Sequence, residues 1–115
     1  MGHPRGATKF RVMYGTEIAI GPGKAELLEA IAETGSISAS AKRLGMSYRR
    51  AWLLVDTMNR CFREPLVASA TGGARGGGAR VTAFGQRVLV NYRRMLANLD
   101  RHLDSDLAAF ARLLR

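Results

Sequence analysis

Residues that suit contacts with a polyanion fall in two parts of the chain. In the first part they are Lys42, Ser47, Tyr48, Arg49 and Arg50. In the second part they are Arg75, Gly76, Gly77 and Arg80. Lys and Arg carry charge to phosphate oxygens, while hydroxyl groups and unhindered backbone amides donate hydrogen bonds to them. The chemistry that these types favour is recognition of a charged polymer rather than bond breaking.

The net charge of the chain favours the same kind of partner. Its 115 residues hold 18 Lys and Arg against nine Asp and Glu, a formal net charge of +9. Residues 36–82 alone hold eight basic and two acidic side chains, a net charge of +6. A positive field concentrated on one part of a small chain is typical of a domain that binds nucleic acid.

Composition predicts one folded domain over residues 1–115, because 115 residues that are 47% hydrophobic can bury one modest core. The single Cys61 excludes an intrachain disulfide and suits a reducing compartment. No apolar run approaches the ~20 residues of a membrane span, and the N-terminus lacks the apolar stretch of a signal peptide. We therefore expect a cytoplasmic protein with no membrane contact, no cofactor and no metal.

Two helices joined at a glycine form the strongest pattern. Ser36 can cap a short helix that ends at Gly45, and Ser47 can cap a second helix over about residues 48–62. The inward arc of the second helix is predicted to hold Ala51, Val55, Met58 and Phe62. The opposite face begins with Tyr48 and two arginines and suits a DNA major groove. The pattern predicts a helix-turn-helix whose second helix presents Ser47 to Arg50 to DNA.

A glycine-rich segment separates two predicted strands, residues 66–71 and 79–82. Glycines without side chains allow a hairpin tip to approach a phosphate backbone or a minor groove, and Arg75 would bring charge there. We expect Arg75 with Gly76 and Gly77 to touch the flanking backbone, with Lys42 and Arg80 as further phosphate contacts.

The predicted fold is mainly α, with an N-terminal hairpin, a β-hairpin wing and a long C-terminal helix. Its parts are a helix-turn-helix at residues 36–62, a wing at 66–82 and a dimerisation helix at 83–115. Residues 104–106 (Asp-Ser-Asp) are a candidate break in that helix. Because a domain of this size cannot cover so long an apolar stripe, we expect its distal half to pack on a second copy.

Five segments carry a resemblance to a known family. They are residues 34–52, Met58-Asn59, Leu66-Val67, residues 71–82 and Gly85-Gln86. Over about residues 20–98 the chain resembles the N-terminal domain of ModE-type molybdenum-dependent regulators, winged helix-turn-helix proteins related to LysR-type regulators. The resemblance implies a dimer, formed through the N-terminal region and the long helix, that binds a palindromic operator linked to molybdenum metabolism. Full-length members also carry molybdate-binding domains, for which residues 1–115 leave no room.

Three alternatives stay open. An enzyme has little support, since the chain lacks a Gly-x-x-x-x-Gly-Lys-Ser/Thr loop and paired carboxylates near a histidine. A non-specific architectural DNA-binding protein would depend on charge alone. A small partner that forms mixed dimers with a full-length regulator is compatible with the sequence. Of the other residues, Trp52 is expected to be structural, Cys61 to be a small buried side chain, and Arg60 and Arg63 not to contact phosphates.

Overall fold

The computed structural model describes residues 9–70 and 78–115. Its elements are β1 (Val12–Tyr14), β2 (Glu17–Ile20), α1 (Pro22–Thr34), α2 (Ile37–Leu44), α3 (Tyr48–Cys61), β3 (Val67–Ala70), β4 (Gly78–Val81) and α4 (Ala83–Ala111). β1 pairs with β2 and β3 pairs with β4, each pair antiparallel. The predicted fold class is confirmed: the fold is mainly helical, with an N-terminal hairpin, a second hairpin after α3 and a long last helix.

The hydrophobic core lies where the first three helices meet β2, the base of the second hairpin and the start of α4. Leu27, Leu28 and Ile31 of α1 are fully buried because their three- and four-residue spacing places them on one face of the helix. On α3 the predicted inward arc is confirmed, since Ala51 and Met58 are also fully buried. The remaining face of α3 is thereby directed outward.

Serine caps and a left-handed glycine set the corner between α2 and α3. The Ser36 hydroxyl accepts a hydrogen bond from the Ala39 amide at 3.0 Å, and the Ser47 hydroxyl accepts one from the Arg50 amide at 3.1 Å. Gly45 ends α2 with a φ of 69°, a conformation that residues with a side chain rarely adopt. The corner predicted at this glycine is confirmed.

Asn59 of α3 fixes the base of the second hairpin. Its side-chain oxygen accepts hydrogen bonds from the Leu66 amide at 2.9 Å and the Val67 amide at 3.2 Å. Its side-chain nitrogen donates to the Val67 carbonyl at 3.0 Å. The predicted strands are confirmed to within one residue at each described end. Gly85 is required below them, because a Cβ there would collide with the Leu66 carbonyl.

α4 is a single helix of 29 residues, about 43 Å long at 1.5 Å per residue. The predicted break at residues 104–106 is wrong, since the helix continues through them. Asp and Ser cost an exposed helix interior only a few tenths of a kcal/mol each. Thr82 caps the helix by accepting from the Gly85 amide at 2.9 Å.

Tyr92 of α4 holds the N-terminal segment against the core. Its hydroxyl donates to the Phe10 carbonyl at 2.7 Å, and the two rings stack with centroids 6.3 Å apart. Burial raises the pKa of the Tyr92 hydroxyl, an effect that the nearby Arg11 charge opposes. The shift favours the protonated form of the hydroxyl, which is the form that donates.

Candidate nucleic-acid interface

The first turn of α3 is exposed and polar. Ser47, Tyr48, Arg49 and Arg50 are all exposed, and 56% of Tyr48 is accessible to solvent. Amides at the start of a helix have no partner within the helix, and the helix dipole adds partial positive charge there. The capped start of α3 therefore favours negatively charged groups such as phosphates.

Acidic residues neutralise some of the neighbouring cations and leave others available. The ion pairs of the described residues are Arg43–Glu33, Arg60–Glu17, Arg60–Asp56 and Arg93–Glu29. Arg60 donates hydrogen bonds to the Asp56 and Glu17 carboxylates, and these bonds raise the pKa of Arg60. These pairs do not include the exposed candidates Lys42, Arg49, Arg50 and Arg80. These predicted site residues therefore keep their charge for an external polyanion, whereas Arg60, which was not expected to contact phosphate, is already paired.

Tyr48 lies where three elements meet. It lines a small pocket of about 170 Å³ together with Ser36 and Ser38 at the start of α2 and with Gly78 and Ala79 of β4. The Ala79 amide donates to the Gly35 carbonyl at 2.9 Å, which joins β4 to the end of α1. Tyr48 thus lies beside the wing base while more than half of it stays exposed.

Of the residues predicted to contact DNA from the wing, one lies in the described part of the chain and three do not. Arg80 is exposed on β4, next to the buried Ala79. Arg75, Gly76 and Gly77 lie outside the described residues.

Trp52 and Lys24 differ in burial. Trp52, which was expected to be structural, is 48% exposed because it lies at the edge of the inward arc. Lys24, which sequence reasoning missed, is 7% exposed, and its ammonium donates to the Ile18 carbonyl. Burial lowers the pKa of Lys24, while Cys61 and Glu17 oppose the shift. The signal was available: Lys24 lies three and four residues before the buried Leu27 and Leu28.

Cys61 is half-buried, with its sulfur 3.5 Å from a Glu17 carboxylate oxygen. Burial and this contact raise the pKa of the thiol. Within residues 9–70 and 78–115, no group of three or more His, Cys, Asp or Glu side chains is arranged to hold a metal ion. No helix in these ranges is long and apolar enough to cross a membrane.

The distal half of α4 presents apolar side chains to solvent. The exposed large hydrophobic residues of the whole helix are Val90, Met95, Leu99, Leu103 and Phe110, and Leu113 and Leu114 follow its end. Met13 and Tyr14 of the N-terminal hairpin are also exposed. Met95 lines two adjacent apolar grooves of about 430 and 340 Å³, the second also lined by Phe10 and Leu99.

The corner at Gly45, the exposed start of α3, the β3–β4 hairpin and α4 together define a winged helix-turn-helix domain. The sequence pattern of bacterial regulatory helix-turn-helix proteins of the LysR family matches residues 23–86. The chain belongs to this LysR family of bacterial regulatory helix-turn-helix proteins.

Two relatives show which type of regulator within this family the chain is similar to. The chain is 37% identical over 123 residues to the molybdenum transport protein ModE of Azotobacter vinelandii, covering 94% of this chain and 46% of that protein. It is 46% identical over 71 residues to the DNA-binding transcriptional dual regulator ModE of Escherichia coli K12, covering 62% of this chain and 27% of that protein. The predicted resemblance to ModE-type regulators is confirmed. The chain spans less than half the length of these relatives.

Solved structures share the fold. The crystal structure of a CbnR DNA-binding domain in complex with DNA matches with a TM-score of 0.56 and 28% identity, covering 76% of this chain and 94% of that chain. VV2_1132, a LysR family transcriptional regulator, matches with a TM-score of 0.55 and 17% identity, covering 81% of this chain and 30% of that chain. The second match shows the fold alone.

Proposed function

We propose that the chain is the DNA-binding part of a transcription regulator and recognises a specific duplex sequence. The observation that carries this proposal is the first turn of α3: it is exposed, capped by Ser47, and holds two arginines that form no ion pair within the described residues. Ser47, Tyr48, Arg49 and Arg50 would enter the major groove, whose base edges arginine reads through paired hydrogen bonds. The relative CbnR, solved with DNA, supports the same partner.

The wing would touch the DNA beside this groove. Lys42 and Arg80 would contact phosphates, and Arg75 with Gly76 and Gly77 would reach the flanking backbone or minor groove. Replacing Arg75 with alanine should weaken binding to all sequences and reduce the salt slope by about one, as expected for one lost phosphate contact. A loss confined to one sequence would contradict a backbone role for Arg75.

A second copy of the chain would cover the apolar face of α4. Single exposed hydrophobic residues are ordinary, but a stripe that continues from Met95 to Leu114 marks an interaction surface. The same apolar stripe on a second copy would provide a surface that buries it. A two-fold dimer formed in this way would present two α3 helices to a palindromic operator. In this proposal residues 1–115 act as one domain, whose helix-turn-helix, wing and dimerisation helix are residues 36–62, 66–82 and 83–115.

A link to molybdenum metabolism is supported by the names of the relatives, molybdenum transport protein ModE among them. We propose that the operator lies near genes of molybdenum uptake or use. The protein would work in the cytoplasm, as a binding protein rather than an enzyme.

Competition between duplexes tests the proposed function. Sites enriched from random DNA should be bound by the full chain in the presence of a large excess of random duplex, because specific binding exceeds non-specific binding by about 10³-fold or more. If random duplex displaces the enriched site in proportion to its concentration, the alternative of a non-specific architectural protein is correct. If the chain instead forms mixed dimers with a longer regulator, that regulator should co-purify with it.

A further inference from the structure

A basic pocket lies beside α3, between that helix, the start of α1 and the segment before β1. Its volume is about 350 Å³. The residues that line it are Lys9, Arg11, Ile18, Gly21, Pro22, Gly23, Lys24, Arg50 and Leu54. Four of these nine residues are basic and none is acidic. The positive charges of these four side chains repel one another, and a bound anion would offset that repulsion.

The exposed cations of this pocket are available for such an anion. Lys9, Arg11 and Arg50 are exposed, and the ion pairs found within residues 9–70 and 78–115 include none of them. Lys24 differs, because it is buried and already donates to the Ile18 carbonyl. An incoming anion would therefore meet the three exposed side chains first.

The core fixes the backbone that carries Lys9 and Arg11. Phe10, between them, accepts a hydrogen bond from the Tyr92 hydroxyl and stacks on the Tyr92 ring. The stem of Arg11 lies across Gly21, where an added Cβ would be 3.1 Å from the Arg11 Cγ. Two cations on an anchored segment lose less conformational freedom on binding than two on a free segment would.

We propose that this pocket binds one backbone phosphate of the duplex whose major groove α3 enters, with Arg11 and Arg50 as the principal contacts and Lys9 at the rim. The inference rests on the proposed function and deepens it. Arg50 belongs to both surfaces, which places the phosphate at the edge of the groove. Lys9 and Arg11 precede residues 23–86, the range of the family match, whereas Arg50 lies within it.

The test measures DNA binding by the full chain with Lys9→Gln and Arg11→Gln combined. The matched control combines Arg94→Gln and Arg112→Gln, which removes the same charge from two exposed side chains, one on α4 and one directly after its end. We expect on the order of tenfold weaker binding and a salt slope smaller by about one in the pocket variant relative to the control. Gly21→Ala keeps every charge and requires the Arg11 stem to move by a few tenths of an ångström, so it should weaken binding less than the pocket variant does.

Methylphosphonate substitution of single phosphates in the enriched duplex locates the contact. Substitution at one position should lower the DNA affinity of the wild-type protein and leave that of the pocket variant unchanged, since the variant has already lost that contact. If no position behaves in this way and the pocket variant matches its control while Arg49→Ala still weakens binding, the pocket proposal is wrong and the proposed function stands. If the wild-type protein binds no duplex specifically, both are wrong. Saturable binding of inorganic phosphate to Lys9 and Arg11, with a flat methylphosphonate scan, would assign the pocket to a free anion and overturn a DNA contact.

Discussion

The start of α3 and the distal half of α4 are both exposed, yet they have opposite chemistry. The first turn of α3 presents hydroxyls and unpaired arginines, whereas α4 presents leucines and a phenylalanine. Water solvates the charged turn well, but apolar surface is stabilised by being covered, at roughly 25 cal/mol per Å². Exposure alone therefore does not identify a partner. The charged surface suits a polyanion, and the apolar surface suits a second copy of the chain.

Removing apolar surface from α4 should have the largest effect. Leu103→Gln combined with Phe110→Gln should dissociate the proposed dimer, because both side chains belong to the exposed stripe. Binding to a two-half-site duplex should fall by about 100-fold or more as the linked second contact is lost. Sedimentation equilibrium and duplex titration measure the two effects.

Thermal unfolding provides the control for this variant. At low protein concentration the melting temperature should match that of the wild type, since neither side chain is buried in the monomer core. A variant that stays dimeric and binds normally would show that the stripe is not the interface.

A change on the charged surface should weaken DNA binding without altering the dimer. Arg49→Ala should cost about 1–3 kcal/mol of binding free energy and relax sequence preference at one base pair, if this side chain reads a base edge. Arg63→Ala is the matched control, because Arg63 stacks on Phe84, with 5.5 Å from guanidinium to ring centre, rather than extending from α3. Equal affinities of the two variants would remove Arg49 from the interface.

Loss of Asn59 should affect the charged surface indirectly. Asn59→Ala leaves the Leu66 and Val67 amides without their side-chain partner and should lower the free energy of unfolding by about 1–3 kcal/mol. DNA affinity should fall only a few-fold, because the charge of the interface is unchanged. Denaturant unfolding and titration of the same sample separate these effects. An unchanged unfolding free energy would show that the hairpin does not depend on Asn59.

The smallest predicted effect is a pH dependence of stability. The raised pKa of the Cys61 thiol means that the folded state favours the protonated form. Its contribution is complete below the unfolded pKa and is lost as pH rises through the folded value. From about pH 8 to about pH 10, the wild type should therefore lose more stability than Cys61→Ala. Lys24, whose pKa is lowered, acts in the opposite direction in both proteins, and more strongly in the variant, which lacks the opposing effect of Cys61. Parallel stability curves would contradict this account.

Local signals were sufficient to predict most of the fold. The serine caps, the glycine that ends α2, and the apolar spacing of α3 each depend on neighbouring residues, and all three are observed. The continuous α4 was not predicted, because two aspartates suggest a break when their context is unknown. The exposure of Trp52 could not be predicted, because a helical wheel gives the direction of each side chain but not how much of the helix circumference is buried.

Contacts between distant segments could not be predicted from the sequence. Asn59 joins α3 to β3, and Tyr92 reaches Phe10 across 82 positions of the chain. The basic pocket depends on the second contact, so local patterns contained no sign of it. The candidate site was easier to predict: hydroxyls and arginines at a helix start form one continuous segment, which the structure leaves exposed and unpaired among its described residues.

Selection of bound sites from random duplex DNA tests the central claim most directly, which is that the start of α3 reads bases in pairs of half-sites. The full chain should enrich two inverted half-sites about 10–10.5 base pairs apart, centre to centre, or a multiple of that spacing. Arg49→Ala should lose one conserved position in each half-site. Recovery of unenriched sequences, or of an identical motif with the Arg49→Ala variant, would contradict the account.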